Sequence, residues 1–284
     1  MQQTSKNQYA LNKWGGLALS HILMLFGSIV MIFPLYWMIA TSLKTYNETL
    51  SMPPQWWPTV AQWHNYYDAW TSQALFPRYF VNSFYVTLVT VVLEVILTIF
   101  AAYAFARMNF AGKNLLFFLF LSTMMIPGEV LLVPNFITLT RLHWFNTYYA
   151  LIVPWIVSAF AVFLLRQHFL QIPGELQEAA YLDGAGHTRF LFQIMVPLSR
   201  PPLATVALLK FVGSWNSFLW PLIMTNNPAL RVVPNGLTAM IQDEGPQYHL
   251  LMAAAFLALI PVLVVFLAAQ KQFLESVAKS GLKG

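Results

Sequence analysis

Three ionisable residues stand inside long apolar stretches of the sequence, namely Glu94, Glu129 and Lys210. A charge at membrane depth costs about 2.5–3.5 kcal/mol on insertion scales, so such side chains face a bundle interior or a wet cavity. Two interpretations stay open. In one, the three groups line a path through the membrane and contact a hydroxyl or an anionic group of a solute. In the other, Lys210 forms a buried ion pair with Glu94 or Glu129 and fixes helix packing.

An aromatic and amide cluster follows Lys210 along the chain, at Trp215, Asn216 and Trp220. An aromatic face beside an amide suits the apolar face and the hydroxyl edge of a sugar. Alternatively, the tryptophans anchor the chain at the membrane interface, Trp220 more so than Trp215, and Asn216 hydrogen-bonds a neighbouring helix. We add Trp215 and Asn216 to the candidate substrate path.

Other chemistries lack the residues they need. The chain has no cysteine, which excludes a thiolate metal site and a cysteine nucleophile. Its six histidines show no paired helical spacing, so we expect no metal site. A Gly-rich phosphate loop followed by Lys-Ser or Lys-Thr is also missing. We therefore expect neither a catalytic residue nor a bound cofactor in this chain.

Membrane-spanning helices are the elements that must carry these residues. Only 9% of the 284 residues are charged and 58% are hydrophobic, whereas soluble domains carry about 25% charged residues. This balance excludes an ordinary cytosolic enzyme, a disordered chain and a nucleic-acid binder. The pI of about 9.4 and the net charge of +5 instead reflect bases that anchor a protein in membrane lipid.

Apolar runs of about 20 residues predict six spanning helices. The third is interrupted by Pro127 and Gly128, and the backbone groups freed there must face protein or water. The predicted spans are residues 17–40, 82–106, 114–139, 148–165, 202–224 and 250–269. We therefore predict an all-α membrane protein.

The distribution of lysine and arginine among the loops predicts the orientation. Ten of the 15 bases fall on one side of the six spans and four on the other, with Lys210 inside the fifth span. This excess predicts that both termini are cytoplasmic. The first external loop, residues 41–79, is rich in Trp and Tyr and predicts a short amphipathic segment on the outer face.

The cytoplasmic stretch between spans four and five is unusually acidic, because it holds Glu175, Glu178 and Asp183. The pattern predicts two short helices joined at Gly184, a residue that suits a left-handed helix end. A helix with small residues and flanking acids suits docking into a groove of another protein. Folding of this loop against the chain's own membrane domain is the alternative.

The spacing in this loop resembles the signature of permease subunits of ABC importers. That signature reads Glu-Ala-Ala, three residues, Gly, nine residues, Ile, one residue, an apolar residue and Pro. The matching positions are Glu178-Ala179-Ala180, Gly184, Ile194 and Val196-Pro197, where the family usually has Leu in place of Val196. We call residues 166–197 the signature loop.

Nearly the whole chain is similar to the carbohydrate branch of that family, in particular to the second permease subunit of maltose and glycerol-3-phosphate importers. Asn82-Ser83 and the stretch from Trp215 to Pro221 carry part of this similarity. The resemblance implies the type I ABC importer permease fold, with six transmembrane helices and cytoplasmic coupling helices, in a bacterial inner membrane. Residues 1–79 would hold the N-terminal tail, first transmembrane helix and external loop, residues 80–270 the permease core with the coupling loop at 170–197, and residues 271–284 a cytoplasmic tail.

The resemblance also implies how the signature loop meets a cytoplasmic ATPase. Glu178 would pair with a base of the ATPase, Ala179 and Ala180 would allow close approach, and Gly184 would turn the chain. Asp183, Ile194 and Pro197 complete the implied ATPase-coupling set.

The implied partners are a second, homologous permease that forms a heterodimer with this chain, an ATPase dimer that binds ATP and Mg, and an external substrate-binding protein. Arg231, Asp243 and Glu244, between spans five and six, are candidates for contact with the binding protein. A simple solvated loop is the alternative there.

Together these features predict a non-catalytic permease subunit that translocates a sugar or sugar-like solute by alternating access, driven by a separate ATPase. Glycerol 3-phosphate is an alternative substrate. An ion- or proton-coupled secondary transporter, with Glu94 and Glu129 as proton carriers, is the alternative from another class. The absence of an obvious inverted repeat counts against it.

Overall fold

The computed structural model describes residues 2–71, 75–243 and 247–281, and the side chains of residues 17, 19–71, 75–241 and 247–271. Within these ranges the chain forms α-helices and short 3-10 and π-helical turns, with no β-strand. In chain order the α-helices are α1 Gln2–Ser42, α2 Tyr46–Thr49, α3 His64–Thr71, α4 Phe76–Arg107, α5 Lys113–Ser122, α6 Leu132–Arg141, α7 Tyr148–Ile152, α8 Ala159–Gln171, α9 Glu175–Leu182, α10 His187–Phe190, α11 Val196–Leu198, α12 Arg200–Trp215, α13 Leu219–Met224, α14 Val233–Asp243 and α15 Tyr248–Gly281.

Four stretches are each long and apolar enough to cross a membrane alone, and two bent pairs of helices also qualify. The single stretches are Leu19–Ser42, Phe76–Arg107, Tyr148–Gln171 and Tyr248–Lys271. The bent pairs are Lys113–Met125 with Gly128–Arg141, at 94°, and His187–Leu198 with Arg200–Trp215, at 79°. Counting each pair as one span gives six spans, the number that the sequence predicts. The second pair, however, begins at His187, within the stretch that the sequence assigns to the cytoplasmic loop.

The break in the third span lies where Pro127 and Gly128 predict it. Ile126 has extended backbone, with φ −90° and ψ 116°, because proline disfavours the helical conformation in the residue before it. A 3-10 turn over Gly128–Leu131 then leads into α6.

The fifth span departs from its predicted bounds of 202–224. Helix α12 begins at Arg200, with prolines in its first turn, and ends at Trp215, and α13 starts only at Leu219. Pro221 explains the interruption. In a continuous helix it would remove a backbone hydrogen bond and clash with the carbonyl four residues earlier, whereas the first turn of α13 tolerates it.

The described residues group into two compact units, drawn from residues 1–72 with 240–257 and from residues 73–239 with 258–284. In the first unit, hydrogen bonds and a cation–ring contact connect the end of α1 to the segment that follows it. The Asn65 side-chain amide donates to the carbonyls of Ser42 and Lys44, both at 2.8 Å. The Lys44 ammonium lies 4.3 Å from the ring centre of Trp37 and donates to the carbonyl of Gln55.

Glu48 organises the turn after α1 by closing a capping box with Thr45, the residue that caps α2. Its carboxylate accepts hydrogen bonds from the hydroxyl and the amide of Thr59 and from the amide of Thr45. Because these bonds favour the ionised form, they lower the pKa of Glu48 to about 2.

Helix α4 is central to the second unit, where it packs against α8 and α12. One face of α4 carries small or polar residues that are at most 3% exposed. They are Ser83, Thr87, Thr90, Glu94, Thr98 and Ala102. Their spacing of three or four residues aligns them on one side of the helix, and small side chains there let neighbouring helices approach closely. We call this set the α4 stripe.

Candidate functional site

A cavity of about 490 Å³ lies within the second unit. Its walls come from α4, the break in the third span, α6, α12 and the segment around α13. The polar residues that line it are Ser83, Thr87, Glu129, Asn135, Lys210, Ser214 and Ser217. This volume falls within the usual range of small-molecule sites, roughly 300–1,000 Å³.

Lys210 and Glu94 form an ion pair at this cavity, with 2.6 Å between Nζ and Oε2. Lys210 lines the wall, and the Glu94 side chain is 4% exposed. This is one of the two ion pairs predicted from the sequence. Pairing compensates for burial of the two charges, so Lys210 is not a free cation in the cavity.

Glu129 reaches the cavity from the 3-10 turn that follows Pro127. Its side chain is exposed, and it forms no ion pair within the described part of the chain. Because Glu94 neutralises Lys210, Glu129 leaves the cavity with one formal negative charge in excess.

Aromatic rings and a free hydroxyl complete the cavity wall. Trp155 and Trp220 stand edge to face, with ring centres 5.7 Å apart, and Trp220 Nε1 donates to the carbonyl of Ala150. Thr87 Oγ1 is buried and has no hydrogen-bond partner among the described residues. The wall therefore combines apolar surfaces with hydrogen-bonding groups, the mixture typical of binding sites for small polar molecules.

Thr87, Asn135 and Trp155 were not identified from the sequence as cavity residues. The spacing of the α4 stripe is the signal that points to Thr87. Trp155 follows Pro154 in a 3-10 turn between α7 and α8, and that proline is the only hint of a break there. We find no sequence signal for Asn135.

Trp215 and Asn216 do not line the cavity. Trp215 is 2% exposed, its ring lies against Phe84 and Phe211, and its Nε1 donates to the carbonyl of Ala258 at 3.0 Å. Asn216 is exposed just after the end of α12. Trp220, which the sequence marked more as an interface anchor, is the tryptophan of this cluster that reaches the cavity.

The signature loop forms the two short helical segments that were predicted, α9 and a segment that begins with α10. Gly184 lies between them with φ +77°, the left-handed conformation expected there. Glu178, Ala179 and Asp183 are exposed, and Leu182 is 89% exposed. The helix thus presents a face of acidic, small and apolar residues that the described chain does not cover.

Ala180 does not belong to that face. It is 6% exposed and packs into a core cluster with Phe169 and Phe190, so it cannot allow the close approach of a partner that the resemblance implied. Ile194 is half-buried against the same cluster, and Pro197 is exposed within α11. Of the two alanines, only Ala179 is available to a partner.

The three candidates for binding-protein contact are described unequally. Arg231 is half-buried before α14, and its carbonyl accepts a hydrogen bond from Asn82 Nδ2 at 2.8 Å. Asp243 ends α14 and its side chain is outside the described set, while Glu244 lies outside the described residues altogether. Among the described side chains, no three His, Asp or Glu residues come together as metal ligands.

Comparison with known proteins gives one consistent family. Residues 94–279 match the model of the binding-protein-dependent transport system inner membrane component. The arabinooligosaccharides transport system permease protein AraQ of Halalkalibacterium halodurans is 34% identical, over 91% of this chain and 94% of that protein. The sn-glycerol-3-phosphate transport system permease protein UgpE of Yersinia pestis is 33% identical, over 92% and 95%.

The fold has a counterpart among solved structures. A chain in the crystal structure of a bacterial ABC transporter involved in the import of the acidic polysaccharide alginate aligns with a TM-score of 0.81. The match covers 90% of this chain and 95% of that one, at 21% identity. The all-helical architecture is thus that of a type I ABC importer permease. With the family match over most of its length, the chain belongs to the binding-protein-dependent transport system inner membrane components, as a non-catalytic permease subunit of an ABC importer.

Proposed function

We propose that this chain forms part of the path for an uncharged sugar or oligosaccharide. The observation that carries the proposal is the charge of the cavity, where Lys210 is neutralised by Glu94 while Glu129 is unpaired. The tryptophan pair and the hydroxyl groups of the wall suit the apolar faces and the hydroxyl edges of sugar rings. The similarity to a permease for arabino-oligosaccharides supports the same substrate class.

Glycerol 3-phosphate is the second candidate, because a permease for it is almost as similar to this chain. A phosphate group needs cationic or strong hydrogen-bond donors. Lys210, the one cation among the described residues of the cavity wall, already lies 2.6 Å from a carboxylate, and Glu129 would repel an anion. The cavity therefore favours a neutral solute over a phosphorylated one.

The assembly we propose follows the family. Both termini face the cytoplasm, the exposed face of α9 docks on an ATPase dimer that binds ATP and Mg, and a homologous permease completes the path. An external binding protein delivers the solute on the opposite side of the membrane, next to Arg231. ATP binding drives alternating access because the ATP-bound ATPase dimer favours one permease state over the other.

The cargo is tested with the complete importer in proteoliposomes, with arabinotriose and sn-glycerol 3-phosphate as labelled probes. We expect uptake of the neutral sugar only. We expect Glu129→Ala to lower sugar uptake about tenfold, which corresponds to about 1.4 kcal/mol, near the lower limit for a hydrogen bond to a charged group. Glu129→Gln, which keeps an acceptor oxygen, should lower sugar uptake less than Glu129→Ala does. Uptake of glycerol 3-phosphate in preference to the sugar would overturn the proposal.

A further inference from the structure

The last turns of α4 hold the beginning of the signature loop. The Arg107 guanidinium donates through Nη2 to the carbonyl of Phe169, at 2.8 Å, and to the carbonyl of Ile172. These carbonyls stand at the end of α8, where helix geometry leaves backbone acceptors without partners. Arg107 thereby ties the end of α4 to the point where the chain enters the exposed part of the loop.

Tyr103, one turn before Arg107, holds the middle of the same loop. Its hydroxyl lies 2.8 Å from Nδ1 of His187, the first residue of α10. The hydroxyl of Tyr181, on α9, lies 2.8 Å from the same nitrogen and also accepts a hydrogen bond from Gln177. A single buried tyrosine of α4 therefore contacts α10 directly and is connected to α9 through the imidazole nitrogen that it shares with Tyr181.

Apart from these hydrogen bonds, helix α9 is held by one buried alanine and by the ring of Tyr181, whose centre lies 6.3 Å from that of Phe190. Ala180 is its one buried residue, whereas Leu182 and the acidic residues are exposed. Segments with few buried apolar contacts open and shift at low free-energy cost. The hydrogen bonds around His187 therefore connect α9 to the membrane helices alongside the packing of Ala180.

The other side of this connection reaches the cavity through α4 itself. Glu94, which pairs with Lys210, precedes Tyr103 by nine residues on the same uninterrupted helix. At 1.5 Å per residue, the two positions are roughly 14 Å apart along the helix axis. A displacement of Tyr103 along the axis would therefore move one partner of the ion pair in the cavity.

We infer that Tyr103, His187, Tyr181 and Arg107 form a positioning anchor that transmits movement of the signature loop to α4 and the cavity. This inference rests on the proposed docking of the loop on an ATPase. The anchor takes no part in binding ATP or the solute. Its role is to couple ATP hydrolysis to movement of the solute.

The test uses the complete importer in proteoliposomes and measures ATP hydrolysis and solute uptake on the same sample. We expect Tyr103→Phe to lower uptake at least fivefold while ATP hydrolysis stays within about twofold, so that more ATP is spent per solute. Tyr85→Phe is the matched control, since it removes a hydroxyl from the same helix that has no hydrogen bond among the described residues. We expect the number of ATP molecules hydrolysed per solute transported by Tyr85→Phe to equal that of the unmodified chain.

A second pair of variants separates positioning from packing. His187→Ala should uncouple the importer as Tyr103→Phe does, whereas His187→Asn, whose amide can occupy the place of Nδ1, should restore part of the coupling. Uptake and hydrolysis that fall in equal proportion in both Tyr103→Phe and His187→Ala would overturn the anchor. An unmodified complex that transports without ATP would instead refute the proposed function, before any variant is compared.

Discussion

At the scale of single residues, the ion pair of Glu94 and Lys210 explains how an apolar helix tolerates an ionisable group. Glu94 belongs to the α4 stripe, whose other members are small, and it pairs with a lysine from α12. Moving two charges out of water is costly, and attraction between them compensates only while both are present. Each of the two residues therefore destabilises the fold when its partner is removed.

We predict that Lys210→Met destabilises the protein more than replacement of both charges. The single change leaves a buried carboxylate uncompensated, at a cost of about 3–5 kcal/mol. Glu94→Gln combined with Lys210→Met removes both charges and should recover most of that loss. Thermal unfolding of the purified importer in nanodiscs measures the stability of the single and the double variant. If the single and double variants unfold at the same temperature, the pair does not stabilise the fold.

At the scale of elements, α4 connects the features that matter. Near its beginning, Asn82 donates to the carbonyls of Ala229 and Arg231 and accepts from the hydroxyl of Tyr148. In its middle it carries Glu94, and at its end Tyr103 and Arg107 hold the signature loop. One helix thus contacts the segment before α14, the cavity and the loop, which suits it to pass movement between them.

The exposed face of α9 makes its own prediction. Because Glu178 is exposed and matches the acidic position of the family signature, we expect Glu178→Lys to break the proposed contact with a base of the ATPase. Uptake and co-purification of the ATPase should fall several-fold, with the amount inserted in the membrane unchanged. Glu175→Lys makes the same charge change one turn earlier and serves as the control. Equal losses in the two variants would mean that net charge, rather than Glu178, governs docking.

At the scale of the whole molecule, the sequence predicts most of the fold and part of the site. Long apolar runs predict membrane-spanning helices well. Pro127 predicts a helix break, because proline disfavours the helical conformation in the residue before it. The predicted fifth span was wrong beyond Trp215, because hydropathy does not register that Pro221 is tolerated only in the first turn of a new helix. The ion pair was one of two alternatives, and only tertiary packing selects Glu94 over Glu129 as the partner of Lys210.

The signature loop shows the same limit. Spacing alone identified the loop and its turn at Gly184, but spacing does not tell which alanine points inward. Ala180 packs against the chain's own phenylalanines, and the hydrogen bonds of His187 join residues from separate elements that no local pattern links. Likewise, the cavity is lined by residues from several elements, so Asn135 and Trp155 can be identified as lining residues only from the folded structure.

The most direct test of the whole account is the energy source of transport. The complete importer is reconstituted in proteoliposomes with ATP enclosed on the side of the signature loop, and uptake of a labelled neutral oligosaccharide is followed with its binding protein outside. We predict uptake that requires ATP and the binding protein and that persists when an ionophore collapses the ion gradients. Uptake that continues without ATP and stops with the ionophore would contradict the account.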